Sequence, residues 1–96
     1  MIYITQLIYI IPGQEKVFNE FEGVAIPIIA KYDGKLLLRT KPGEIIEASI
    51  EVPYEIHLVS FPSAEHFERF KQDEGRKAFL HLKEASVKSV LLIEGK

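Results

Sequence analysis

GKLLLRTKPGEIIEASIEVPYEIHLVSFPS, residues 34–63, is the stretch of sequence that decides the fold. Two short apolar runs in it, residues 35–41 and 55–61, have proline or glycine close to both ends, which predicts β-strands. The run between them, residues 44–52, alternates apolar and polar side chains, which predicts a half-exposed ribbon or a strand extension. The stretch therefore predicts two strands of one sheet joined by extended backbone.

Two further strands are predicted near the ends of the chain. Residues 2–11 are dense in β-branched and aromatic side chains, and Pro12-Gly13 stops the run sharply. Both faces of this run are largely apolar, so we expect a central strand that is buried on both sides. Residues 87–94, VKSVLLIE, predict the last strand.

Between residues 14 and 32 the hydrophobic period changes from that of a strand to that of a helix. Apolar side chains recur there at three- and four-residue spacing, which predicts a helix with one apolar stripe. Pro27 cannot donate to the carbonyl of Gly23, so we expect a kink or a break near Gly23 within one element. Gly34 is expected to end this helix by adopting a positive φ angle.

A second helix is predicted after residue 63. Ser63 is a suitable N-cap, and Phe67 and Phe70 give the helix its inward face. Gly75 is expected to interrupt this helix, which resumes over residues 76–85. The many charged side chains of residues 65–77 predict a face exposed to solvent.

These elements follow the order β-α-β-β-α-β, which is the split βαβ or ferredoxin-like pattern. The sequence thus predicts a single α+β domain over residues 1–96, with an antiparallel four-stranded sheet and two helices on one face. The other face of the sheet is apolar and needs a cover. We therefore expect a homodimer that pairs through its sheets, since twofold pairing is the commonest way to supply that cover.

Composition excludes several classes of function. The 96 residues carry a net charge of −2 and no basic stripe, so nucleic acid is not an expected partner. No apolar run approaches the roughly 18 residues of a membrane span, so the expected location is cytoplasmic, with no membrane partner. The chain has no cysteine, and His57, His66 and His81 lack the spacing of metal ligands. It also has no nucleotide-binding motif, so neither a metal nor a cofactor is expected.

Two polar residues that interrupt apolar strands are candidates for a site. His57 lies in the middle of a strand, where its imidazole would suit a general base or acid near neutral pH. The alternative is a partly buried structural histidine whose ring bonds a backbone carbonyl or a carbonyl of a dimer partner. Gln6 is the odd residue on an aliphatic strand face, and a buried amide must find partners, so it either lines a ligand cavity or bonds across the sheet.

Arg39 and Glu47 are the other two candidates. They would form an ion pair at the mouth of a pocket, where the planar guanidinium of Arg39 would hold a carboxylate or enolate oxygen of a ligand. The structural alternative is a cross-strand salt bridge that fixes the ribbon, or two solvated side chains.

Several of these segments resemble a known family. Residues 34–47, the Phe61-Pro62-Ser63 entry to the second helix and the ending LLIEG of residues 91–95 are similar to domain-of-unknown-function family 1330, within the dimeric α+β barrel superfamily. Arg39 at the end of the second strand and Glu47 eight positions later match that family most specifically. The resemblance implies two ferredoxin-like sheets packed face to face in a dimeric α+β barrel. The superfamily includes cofactor-independent quinol monooxygenases, lactone isomerases, haem-handling enzymes and stress-response proteins.

The sequence is compatible with two functions. In the first, the chain binds or converts a small apolar or acidic organic molecule without a cofactor, as a monooxygenase or isomerase would, in a pocket between sheet and helices. In the second, it is a non-catalytic dimeric module with a structural or stress-response role. The sequence leaves open whether the protein is an enzyme.

Overall fold

A computed structural model describes residues 1–95. Its four strands are β1 (Ile2–Ile10), β2 (Lys35–Thr40), β3 (Glu55–Phe61) and β4 (Val87–Gly95). Its helices are α1 (Glu15–Ile29), α2 (Ala64–Lys71), α3 (Glu74–Lys77) and α4 (Leu80–Ser86), with a 3₁₀ turn at Ala30–Tyr32. The strands form one antiparallel sheet in the order β2-β3-β1-β4. The predicted α+β fold with a four-stranded antiparallel sheet is confirmed.

Strand β1 is central, but it is fully buried on one face only. Ile4 and Ile8 are buried beneath the helices, whereas Tyr3, on the opposite face, is exposed. The expectation of burial on both faces is wrong for the single chain, because the helices cover one face of the sheet. We call the uncovered side the open face; it consists of the β-strand residues whose side chains point away from the helices.

A kink or a break was predicted near Gly23; the break is wrong, since one helix runs through both Gly23 and Pro27, and α1 is a single element as predicted. Both residues are exposed, so water can bond the Gly23 carbonyl that lacks the Pro27 N–H. No helix among residues 1–95 is long and apolar enough to cross a membrane.

At the end of α1, the residue that turns the chain is not the predicted one. Asp33, not Gly34, takes the left-handed conformation, with a φ angle of 60°. Gly34 is needed for a different reason, which is space. A Cβ atom on Gly34 would lie 2.6 Å from Cε1 of Phe61 and 2.7 Å from Cγ2 of Ile29.

Gly34→Ala is therefore expected to lower the free energy of unfolding by about 1–3 kcal/mol, the usual cost of overpacking a core. Gly23→Ala is the matched control, because a Cβ atom there meets nothing within 4 Å and lies inside a helix. The control is expected to raise stability by about 0.5–1 kcal/mol. Urea unfolding of the two variants at one protein concentration checks this, and shifts of the same sign would contradict it.

The second helical region is divided into three short helices, where one interruption at Gly75 was predicted. Ser63 caps α2 by accepting from the backbone N–H of His66 at 3.3 Å, as predicted. Asp73 then caps α3 by accepting from the backbone N–H of Arg76 at 3.0 Å. The new helix starts at this cap, ahead of the glycine, because the Asp73 side chain satisfies the first free N–H groups of α3.

The predicted ribbon over residues 44–52 is also wrong. Residues 41–54 form an irregular segment without strand pairing, and Ile46 is 94% exposed. The segment is attached to the sheet by a hydrogen bond from the Tyr9 hydroxyl to the Glu51 carbonyl at 2.9 Å and by a Lys88–Glu51 ion pair at 2.8 Å. The residues of this segment therefore lie partly over the open face, where no strand is positioned to form backbone hydrogen bonds with them.

Candidate functional site

A cavity of about 270 Å³ lies between the sheet and the helices. Its lining is mostly apolar, with contributions from β1, β3 and β4 and from all four helices. Six side chains with polar groups line it: Gln6, Glu22, His57, Lys71, Arg76 and Lys83. A mostly apolar cavity with a few convergent polar groups is typical of a small-molecule site.

The strand register sets the position of the central histidine. Glu55 and His57 are two residues apart on β3, so their side chains point to the same, helix-covered face. Gln6 on β1 is directly opposite His57, and Arg39 on β2 is opposite it on the other side. Three neighbouring strands therefore bring these four side chains together.

A chain of hydrogen bonds leads from Arg39 to His57. Oε2 of Glu55 accepts from Nε of Arg39 at 2.9 Å and from Nε2 of His57 at 2.5 Å. A carboxylate only accepts, so Nε2 of His57 carries the proton. In the neutral ring, Nδ1 of His57 is then left with a free lone pair. Glu55 and His57 are both buried, whereas the side chain of Arg39 remains 37% exposed.

Glu22 faces the other nitrogen of the ring. Its Oε2 lies 4.0 Å from Nδ1 of His57, on the inward side of α1. Burial raises the pKa of Glu22 to about 7, against the opposing effect of the Arg39 charge. Burial also lowers the pKa of His57, although its bond to Glu55 acts in the opposite direction. Near neutral pH the ring is therefore neutral, and Glu22 is present in both its protonated and ionised forms.

This arrangement can move a proton on a bound molecule. An acid is useful when its pKa lies near the working pH, and Glu22 meets that condition, whereas a base must be unprotonated, as the neutral ring of His57 is. Their separation of 4.0 Å is too long for a direct hydrogen bond but lets one substrate atom lie about 3 Å from each. His57 would act as the base through Nδ1 and Glu22 as the acid.

Three of the four predicted site residues are brought together, and Glu47 is not. Gln6 and His57 line the cavity, and Arg39 supports His57 through Glu55. Glu47 lies in the irregular segment, on the open-face side of the sheet beside Leu7. The hypothesised Arg39–Glu47 pair is replaced by Arg39–Glu55, because the cross-strand register places Glu55 within reach of Arg39.

Four functional candidates were missed by the sequence reasoning: Glu22, Glu55, Arg76 and Lys83. Two of them had a signal. Glu55 precedes His57 by two residues in a strand and must share its face. Glu22 follows Phe18 by four residues, which places a carboxyl group on the apolar stripe of α1. Arg76 and Lys83 had no such signal in the sequence, since the inward direction of their side chains depends on how the short helices pack.

Among residues 1–95, no group of three or more histidine, aspartate or glutamate side chains is arranged to hold a metal ion. The cavity instead contains the cationic groups of Lys71, Arg76 and Lys83, which are ligands for anions.

Comparisons with solved structures show the fold. A protein of unknown function from Rhodopseudomonas palustris superposes with a TM-score of 0.83 at 16% identity, covering 99% of this chain and 80% of that one. An uncharacterised NIPSNAP domain protein from Burkholderia xenovorans gives 0.73 at 13% identity, covering 100% and 93%. A dimeric protein of unknown function and ferredoxin-like fold from Bacteroides fragilis gives 0.73 at 10% identity, covering 99% and 94%.

Among curated proteins, none matches the sequence. The family model described as Domain of unknown function (DUF1330) matches residues 8–96, which is nearly the whole chain. The chain has the ferredoxin-like fold of its structural neighbours and belongs to the DUF1330 family.

Proposed function

We propose that this protein is a cofactor-independent enzyme of isomerase type, which moves a proton on a small, largely apolar organic molecule held in the cavity. The observation that carries the proposal is the Arg39–Glu55–His57 chain, which ends at a free imidazole nitrogen beside a buried carboxyl group. In this role Arg39 and Glu55 orient the ring, and His57 and Glu22 exchange protons with the substrate.

The proton balance of an isomerisation fits this pair. Nδ1 of His57 takes a proton from an acidic C–H bond of the substrate, and the protonated Glu22 returns one to another atom of the same molecule. The product then has the same composition as the substrate. The imidazolium formed is stabilised by Glu55; it then releases its proton to water, and the ionised Glu22 takes one up from water, which restores the starting state.

Energetics favour this function over that of a purely structural module. Burying charged groups beside a cavity costs folding free energy, and apolar residues of the same size are often as stable or more stable there. A dimeric module whose only task is pairing gains nothing from Glu22 and His57 at this position, on the face of the sheet that the helices cover.

Deuterium exchange tests the proposal without knowledge of the substrate. The protein is incubated in heavy water with a panel of ketones, 2-oxo acids and unsaturated lactones of up to about ten non-hydrogen atoms, the size the cavity admits. We expect incorporation of deuterium at an acidic carbon of at least one compound, and a return to the buffer rate in His57→Gln. The exposed His81→Gln is the matched control. Exchange that survives in His57→Gln, or none with any compound, would refute the mechanism.

We also propose that the open face pairs with a second copy of the chain. Tyr3, Leu38, Leu91 and Ile93 point to this face, and each is between 40% and 50% exposed. Antiparallel sheets that face water normally carry polar side chains there, so a row of this kind indicates an interface. The neighbour from Bacteroides fragilis is dimeric, which supports self-association of this chain.

Light scattering after size exclusion at micromolar concentration is expected to give about twice the chain mass of 11.0 kDa. Leu91→Lys places a charge on the open face in the middle of β4 and is expected to yield monomers, because an unpaired charge is costly to bury. Phe79→Lys, at a similarly exposed apolar residue preceding α4, should remain dimeric. A monomeric wild type, or dimers of both variants, would refute this interface.

A further inference from the structure

One wall of the cavity carries an excess of positive charge. Lys71 at the end of α2, Arg76 on α3 and Lys83 on α4 all contribute to it. The same cavity has one acidic side chain, Glu22. The cationic groups belong to the region of three short helices, whereas the proton-transferring groups belong to β3 and α1.

The guanidinium of Arg76 is held in place but is not satisfied. It lies between two aromatic rings, with its central carbon 5.8 Å from the centre of the Phe21 ring and 5.2 Å from that of Phe70. Nη1 donates to the Lys71 carbonyl at 3.3 Å, yet Nε is buried and has no hydrogen-bond acceptor among residues 1–95. A buried donor without a partner is costly, and few native groups are left so.

Two of the three cations also lack a counter-ion. Lys71 pairs with Glu68 at 2.8 Å, but within residues 1–95 no carboxylate comes within 4.0 Å of the charged nitrogens of Arg76 or Lys83. Burial lowers the pKa of both groups, and their mutual repulsion lowers that of Lys83 further. Asp73 and Glu22 act on Arg76, and Glu22 acts on Lys83, only from beyond 4.0 Å, and the pKa of Glu22 is itself raised to about 7.

The size of the cavity limits the size of an anionic ligand that it can hold. A dry apolar cavity of about 150 Å³ is known to hold benzene, so about 270 Å³ admits one ring or a short chain with a polar group. Beyond the charged groups, the cavity offers this ligand side chains such as Phe18, Ile26 and Val90.

We propose that the basic wall is a carboxylate-binding subsite, and that the ligand is a small apolar monocarboxylic acid whose carboxylate binds Arg76 and Lys83. This inference rests on the proposed function and specifies its substrate class. The carboxylate neutralises the excess charge of Arg76 and Lys83, both of which line the cavity. The hydrocarbon part then fills the apolar remainder of the cavity, where His57 and Glu22 meet it.

Titration calorimetry with benzoate and benzamide tests the subsite, since the two probes share a shape and differ in charge. Benzoate is expected to bind at least about tenfold more tightly than benzamide, in line with the greater strength of charge-assisted hydrogen bonds. Arg76→Gln and Lys83→Gln should each remove most of this preference, because each removes a positive charge that only the carboxylate complements. Lys77→Gln, an exposed lysine on the same short helix as Arg76, makes the same change of charge and should leave it intact.

The outcomes separate the two proposals. Equal binding of the probes, or a preference that persists in both Arg76→Gln and Lys83→Gln, overturns the carboxylate subsite and leaves the cavity proposal standing. Binding of neither probe overturns the subsite and the cavity together. Because Arg76 packs between two rings, circular dichroism first checks that Arg76→Gln is folded, and Lys83→Gln decides the question if it is not.

Discussion

Glu55→Gln is expected to reduce proton exchange by about 10²–10⁴-fold and to lower the free energy of unfolding by about 2 kcal/mol. The exchange falls because the uncharged amide no longer stabilises the imidazolium that His57 becomes when it takes a proton from the substrate.

The expected loss of stability depends on how well water solvates the charge of Arg39 once its partner Glu55 no longer carries one. Removing one member of a fully buried pair costs about 3–5 kcal/mol, because the other charge is left uncompensated. The side chain of Arg39 is 37% exposed, so water can solvate it and the cost should fall below that range. His57 is neutral and retains a neutral hydrogen-bond partner in the glutamine.

Glu51→Gln is the matched control for this variant. Glu51 also pairs with one cation, Lys88 at 2.8 Å, but both side chains are exposed. An exposed pair contributes at most about 1 kcal/mol, so little loss is expected, with exchange unchanged. The orienting role of Glu55 would be excluded if Glu55→Gln were destabilised yet retained the wild-type exchange rate.

The stability of the wild type is expected to fall by roughly 3 kcal/mol between about pH 4.5 and pH 7 on account of Glu22 alone. Burial raises the pKa of Glu22 in the folded chain from 4.5 to about 7, so between these values the native state holds a proton that the unfolded state has released. Stability contributed by this group is therefore present at low pH, is lost as pH rises through the window, and levels off above it.

Other charged groups face Glu22 and shape this profile. Arg39, Arg76 and Lys83 favour its ionised form, whereas Glu55 opposes it, and burial outweighs the three cations. His57, which lies within 4.0 Å, contributes with the opposite sign, because its folded-state pKa is lowered and stability from it rises with pH. The contribution of Glu22 is thus best isolated as a difference between two proteins.

Glu22→Gln provides that difference, since glutamine has a similar size and does not titrate. Urea unfolding at one protein concentration, from about pH 5 to about pH 8, should show wild-type stability falling relative to the variant by roughly 3 kcal/mol. Glu20→Gln, on the exposed side of α1, should follow the wild type. Parallel profiles for wild type and Glu22→Gln would show that Glu22 titrates normally in the folded state.

Local patterns predicted most of the fold correctly. The strands, the first helix and the Ser63 cap follow from the alternation of apolar residues, helical spacing and side-chain capping, which are properties of neighbouring residues. The features that were predicted wrongly depend on residues that are distant in the sequence. Gly34 is required because the side chains of Phe61 and Ile29 leave no room for a Cβ atom there, and residues 41–54 lie partly over the open face instead of pairing with a strand.

The residues of the candidate site were predicted only in part, because local patterns do not report contacts between distant residues. Gln6, Arg39 and His57 stood out as polar residues in apolar strands, and three adjacent strands do bring them together. Glu47 was assigned by its spacing from Arg39 in the sequence, and spacing does not determine contact across an irregular segment. Glu55 becomes the partner because of the β2–β3 register, which is a matter of strand pairing.

The sequence by itself determined the fold class, the family and the presence of a histidine on the helix-covered face of the sheet. These follow from periodicity, since side chains alternate along a strand regardless of what lies beyond it. Only the tertiary structure decided which charges surround that histidine. The approach of α1 places Glu22 at Nδ1, and the packing of three short helices turns Arg76 and Lys83 into the cavity. The resulting pKa values depend on burial, and burial is a property of the folded chain.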